Sequence, residues 1–129
     1  MSMTSPHAYL TSVLRKHLDG FAIRHGDRSL DALPKRPTVV LYTSIIRNSG
    51  AVRAGQLLAE ITLLVFAADT NPDKLEDALF DALAAVIDVL NTHMPTLHWE
   101  EARRGIFNDM PAYQITTTIA ITLQKGQES

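Results

Sequence analysis

Residues 59–90 read AEITLLVFAADTNPDKLEDALFDALAAVIDVL, and this stretch decides the fold. Ala59 to Ala68 is rich in Ile, Leu, Val and Phe, the composition of a largely buried strand. Asp69-Thr70-Asn71-Pro72-Asp73 ends that run and starts a helix. Asn71 suits the N-cap, because its side-chain oxygen can accept from a free N–H of the first turn. Pro72 fits the first helical position, where a missing donor costs nothing. Asp73 and Glu76 follow near the positive end of the helix dipole. At about 100° per residue, Leu75, Ala78, Leu79, Ala82, Leu83, Val86, Val89 and Leu90 share one stripe, with Asp77, Asp81 and Asp88 opposite. Phe80 and Ile87 widen the stripe on one flank. A helix so broadly apolar touches more than one surface, either a deeper core in its own subunit or a second subunit.

Outward from this unit, Ser5-Pro6 repeats the cap-then-proline device, and Leu10, Val13, Leu14, His17, Leu18 and Phe21 form a helical stripe. A helix is expected from Pro6 to about Asp19, with Gly20 at its C-terminal end. His17, inside the stripe, reads as a hydrogen-bonded core or edge histidine. Residues 20–37, GFAIRHGDRSLDALPKRP, read as a long connector with room for a short strand around Phe21–Arg24. Thr38–Arg47 is a strand with two largely apolar faces, both of which call for cover. Asn48-Ser49-Gly50 signals a turn, so Thr38–Arg47 and the Ala59 strand form a long hairpin whose tip carries Arg47, Asn48, Ser49, Gly50 and Arg53.

Downstream, His93-Met94-Pro95 ends the central helix, since proline disfavours helix in the residue before it. Leu97–Phe107 is a weaker strand, with Gly105 marking a bulge. Asn108-Asp109-Met110-Pro111 is a turn. Tyr113–Leu123 alternates cleanly: Tyr113, Ile115, Thr117, Ile119, Ile121 and Leu123 on a buried face, Gln114, Thr116, Thr118, Ala120, Thr122 and Gln124 on a wet one. The expected architecture is α+β in the order α-β-β-α-β-β: an antiparallel or mixed sheet of about four strands, as two hairpins, with both helices on its apolar face.

The 129 residues are expected to form one domain spanning 1–129, with 1–4 and 125–129 as loose ends. Such a chain buries roughly 65–70% of its unfolded surface, enough for a core without metal or disulfides. A formal charge of −2 leaves no overall basic footprint for nucleic acid or anionic membrane. The absence of cysteine excludes disulfides, thiolate metal sites and a cysteine nucleophile. No apolar run is long enough to span a membrane, and the N-terminus has no charged-then-apolar signal pattern, so assembly in the cytoplasm is expected.

Chemical motifs are weak. Asp69, Asn71 and Asp73 imitate a calcium loop, but Lys74 and Phe80 occupy the positions that need glycine and glutamate. His98 and Glu100 share a strand face, with His93 and Glu101 nearby, at a spacing that matches no standard metal signature. No serine has a nucleophile-elbow setting, and Gly50 and Gly55 do not form a phosphate loop. No catalytic residue, cofactor or metal is therefore assigned. Glu100 and Glu101 beside Arg103 and Arg104 read as a solvated or inter-subunit charge ladder.

The order of elements resembles the tail terminator, or tail completion, proteins of long-tailed phages, especially of the actinobacterial type. The resemblance rests on the Pro-flanked strand PTVVLYTSII, the run LLVFAADTNPDKLEDALFDALAAVIDVL and the segment LHWEEARRGIFNDMPAYQITTTIAI. It covers roughly Pro6 to Leu123. It implies a structural virion protein, not an enzyme, that forms a ring, hexameric in the family. The ring caps the tail tube at its head-proximal end, stops polymerisation and presents a surface to a head completion or connector protein, while DNA passes through without sequence-specific binding. Arg47, Arg53, Phe80, Ile87, Glu100, Arg103 and Arg104 are the candidate oligomer-interface residues. The alternatives are another head–tail connector or neck protein, or a small cytosolic oligomeric enzyme or ligand-binding domain using His93, His98 and Glu100.

Overall fold

The computed structural model describes residues 5–25, 34–48, 56–68, 71–107 and 109–122. The element order is α1 (Pro6–His17), β1 (Ala22–His25), β2 (Thr38–Asn48), β3 (Gln56–Phe66), α2 (Leu75–His93), β4 (His98–Phe107) and β5 (Met110–Thr122). The five strands form one sheet in the order β1-β2-β3-β5-β4. β1 pairs parallel with β2; every other pairing is antiparallel.

This corrects the expected four strands to five and the order to α-β-β-β-α-β-β. The added strand is Ala22–His25, one residue along from the short strand for which Phe21–Arg24 left room within the expected connector. Four residues are too few for a periodic pattern to stand out. What holds the strand is tertiary: it pairs with Thr38–Leu41, and Ala22 N–H donates to the Pro37 carbonyl at 2.8 Å. The Arg15 guanidinium donates to the Ile23 carbonyl at 3.1 Å, tying α1 to this outer strand.

Both helices lie on one face of the sheet, as the stripes require, α1 over β1 and β2 and α2 over β3 and β5. Leu10 and Leu14 from α1 and Leu83, Val86 and Leu90 from α2 meet Val39, Leu41, Ile61, Leu63, Val65 and Ile115 in the main core. Thr117 is fully buried there, its hydroxyl satisfied by donating to the Ile61 carbonyl at 2.9 Å. On the helix-free face, Val40, Phe66, Met110 and Ala112 form a second small core at one end of the strands.

The helix starts follow local chemistry. Ser5 Oγ accepts from Ala8 N–H, and Asn71 Oδ1 accepts from Asp73 N–H at 3.0 Å. Pro72–Lys74 forms a single 3₁₀ turn before α2 begins at Leu75, a tightened first turn in place of the direct α start expected at Pro72. α1 ends at His17, earlier than expected, and Gly20 takes a left-handed φ of 81° in the turn that leads to β1. Ahead of β5, Asp109 accepts φ 64°, a conformation aspartate tolerates.

Two register shifts reset the faces. One lies at Ser44, between Thr43 and Ile45, and the other at Glu100-Glu101, between Trp99 and Ala102. The second is the bulge expected at Gly105, which instead pairs regularly with Ala112. A Cβ at Gly105 would stand 3.0 Å from the Phe107 ring, so glycine there serves close packing.

Candidate functional site

The Glu100-Glu101 bulge determines where the candidate residues of β4 go. Before it, Trp99 faces the helices and His98 faces away; after it, Ala102 and Arg104 face the helices, and Arg103 faces away. Alternation along the strand splits the expected ladder between two faces, and the bulge sets which arginine takes which face. Arg103 is paired with Glu101 on the helix-free side, and Arg104 is paired with Glu76 of α2. The Arg104 Nε also donates to Glu76 Oε1 at 3.3 Å. Hydrogen bonding from Arg104 lowers the Glu76 carboxyl pKa, burial opposes it, and the arginine charge adds a smaller lowering. Arg104 is raised by the same bond, and Arg103 by its bond to Glu101.

The helix-free face gathers one charged set. Arg47 of β2 lies 3.6 Å from Glu60 of β3, and Glu60 borders an open hollow of about 410 Å³ lined by His98, Glu100, Glu101, Arg103, Gln114 and Thr116, among others. Ser44 Oγ donates to the Glu60 carbonyl at 3.0 Å and accepts from Thr62 Oγ1 at 3.2 Å, so the bulged residue stitches this face together. His98 and Glu100 stand 3.9 Å apart, both well exposed. His93 lies across the sheet from them, stacked on His17 with ring centroids 3.5 Å apart and planes within 7°. The three residues of the ligand-binding alternative therefore do not converge. Among the described residues no cluster of three or more His, Asp or Glu could hold a metal ion.

The second set lies along α2. Glu76, Phe80, Leu83, Ile87 and Asn91 recur at four- and three-residue spacing and so share one flank. β4 braces both ends of that flank: Glu76 by Arg104, and Asn91 by the Trp99 indole, which donates to its Oδ1 at 3.1 Å. Between the braces an open, mostly apolar groove of about 370 Å³ is lined by Phe80, Leu83, Ala84, Ile87, Asp88 and Asn91. Ile87 still packs against the main core, whereas Phe80 is 61% exposed. Arg53 lies outside the described residues, as do the 49–55 hairpin tip, the 26–33 part of the connector and Asp69 of the calcium-like run.

Sequence reasoning missed three features here. The His17–His93 stack joins the C-terminal ends of α1 and α2; His17 sits on the exposed edge of its stripe, as one of its two expected placements had it. Partial burial, His93 and Lys16, in that order of effect, lower the His17 pKa. The Trp99–Asn91 and Arg104–Glu76 braces were also unforeseen. An amphipathic strand carrying one tryptophan and two arginines next to a helix with polar residues at both ends of a stripe is the only sequence trace of them.

Neither a protein-family description nor a curated protein matches this chain. The fold is similar to a solved structure, the PVC sheath/tube terminator of an extracellular contractile injection system in its extended state, with a TM-score of 0.54 at 15% sequence identity. The similarity covers 96% of this chain and 58% of that one, so the chain spans well under two thirds of its neighbour's length. The chain thus has a tail-terminator-like fold.

Proposed function

We propose that the protein is a structural subunit that terminates a phage-type tail tube. The observation that carries this reading is the fold likeness to a sheath/tube terminator over 96% of the chain. The surface chemistry supports it. Charged side chains on the helix-free face are largely neutralised by pairing with one another, and the conspicuous unsatisfied surface is apolar, as in a protein that works by contact. In this reading the subunits close into a ring, a hexamer, on the last layer of tube protein at the head-proximal end of the tail. Elongation then stops, and the ring offers its other side to a head completion protein while DNA passes through. Arg47, Phe80, Ile87, Glu100, Arg103 and Arg104 belong to its contact surfaces, and Arg53 is carried with them from the sequence. The phage type proposed is the long-tailed, actinobacterial one.

The test is tube assembly. Tail-tube subunits of the same particle are polymerised with and without the protein, and lengths and ends are scored by negative-stain electron microscopy. A terminator shortens the length distribution in proportion to its concentration and decorates a single end of each tube. Tubes of unchanged length with bare ends refute the reading.

A further inference from the structure

Four large exposed apolar side chains fall at the two opposite edges of the sheet. Beyond its pairing with β1, which stops at Leu41, β2 presents Ile45 and Ile46, 43% and 53% exposed. At the other edge α2 and β4 present Phe80 and Ile106, 61% and 64% exposed, with Phe80 forming a wall of the α2 groove. Charge divides along the same line. Among the described residues, the α1–β1–β2 half carries six basic residues, Arg47 among them, and one acid, Asp19, formally +5. α2 with its leading turn and β4 carries seven acidic and three basic residues, formally −4.

We infer that these two edges are the halves of one head-to-tail contact between copies of this chain. Ile46, on the helix side of β2, seats in the Phe80–Ile87 groove and against Ile106 of the next copy, with Ile45 flanking the contact from the other side of the strand. The inference rests on the proposed ring and adds which surfaces close it. An isologous contact through either edge would set halves of like formal charge together, +5 on +5 or −4 on −4; a heterologous one sets halves of unlike charge together. The patches also permit it sterically. β2 and β4 are three strand spacings apart, ~14 Å across the sheet, so one subunit can use both edges at once. Among the described residues no strand pairs with this edge of β2 beyond Leu41, and a strand edge flanked by exposed apolar side chains is a surface that proteins ordinarily cover.

The experiment uses two complementary full-length variants, Ile46→Glu and Phe80→Glu. The first breaks the strand edge and keeps the groove; the second breaks the groove and keeps the edge. Each is sized alone and in an equimolar mixture by sedimentation velocity, at a concentration where the unmodified protein associates. Each variant alone self-associates at least about tenfold more weakly. The mixture forms a 1:1 pair and goes no further, because one intact edge meets one intact groove. Circular dichroism verifies the folds, and Ile46→Ser with Phe80→Ser replaces a variant that misfolds. If the unmodified protein associates while the variants associate equally well, or the mixture yields no pair, this contact is wrong and the ring reading stands. If the unmodified protein is a monomer up to its solubility limit, the ring and this contact fall together.

Discussion

Leu79 and Phe80 are consecutive on α2, about 100° apart around its axis, and the structure gives them opposite roles. Leu79 is 0% exposed and Phe80 61%. Leu79→Ala removes three buried carbons, about 2.4 kcal/mol of transfer free energy at ~0.8 kcal/mol each. The cavity left behind raises the loss to about 3–4 kcal/mol. An unfolding entropy of about 2.1 cal/mol/K per residue gives this chain ~0.27 kcal/mol/K, so a 3 kcal/mol loss lowers Tm by about 11 °C. Phe80→Ala gives up little packing and gains ~0.5 kcal/mol of helix propensity. Its Tm stays within about 2 °C of the unmodified value. The assay is thermal unfolding by far-UV circular dichroism across a dilution series, read at the dilute end, where association no longer contributes. A Phe80→Ala drop as large as that of Leu79→Ala at the lowest concentration would refute the reasoning. It would place Phe80 in the subunit core and remove it from any contact surface.

Three further outcomes follow from local geometry. The Glu76 carboxyl is held below its unfolded value, so the Arg104–Glu76 brace contributes stability that is complete above about pH 4.5 and lost as pH falls through the folded value. Arg104→Ala should flatten that acid limb, and an unchanged acid unfolding profile would show that the pair carries no linkage. The His17 pKa is lowered, so the unfolded chain binds more protons near neutrality and stability declines as pH drops below about 6.5. The His17 ring, followed by proton NMR, should titrate below the free value, and a normal or raised midpoint would mean that the stack with His93 does not persist. Asn71→Ala removes the acceptor for Asp73 N–H and should cost about 0.5–2 kcal/mol, measured by urea unfolding at unchanged m.

Much of this molecule was legible in its own residues, because local chemistry sets it. Asn71-Pro72 and Ser5-Pro6 announce helix starts through donors that only a cap can satisfy, and both caps are made. From Leu79 to Leu90 the α2 stripe is buried where its 3.6-residue period puts it, with Leu75 and Ala78 half-buried, and the alternation of Tyr113–Ile119 assigns the two faces of β5 correctly, because in each the apolar period matches the backbone period. Tertiary structure decided the rest. Ala22–His25 is a strand because Thr38–Leu41 lies beside it, not through any preference of four residues. The bulges at Ser44 and Glu100-Glu101 each insert one residue into a ladder, and a single inserted residue turns every later side chain to the other face. That is why Arg104, and not Arg103, turns to the helix side of β4 and reaches Glu76 of α2. Tertiary packing also decided Phe80: the helical period alone leaves it between core and surface, and in the folded chain it stands 61% exposed while Leu79 beside it is fully buried.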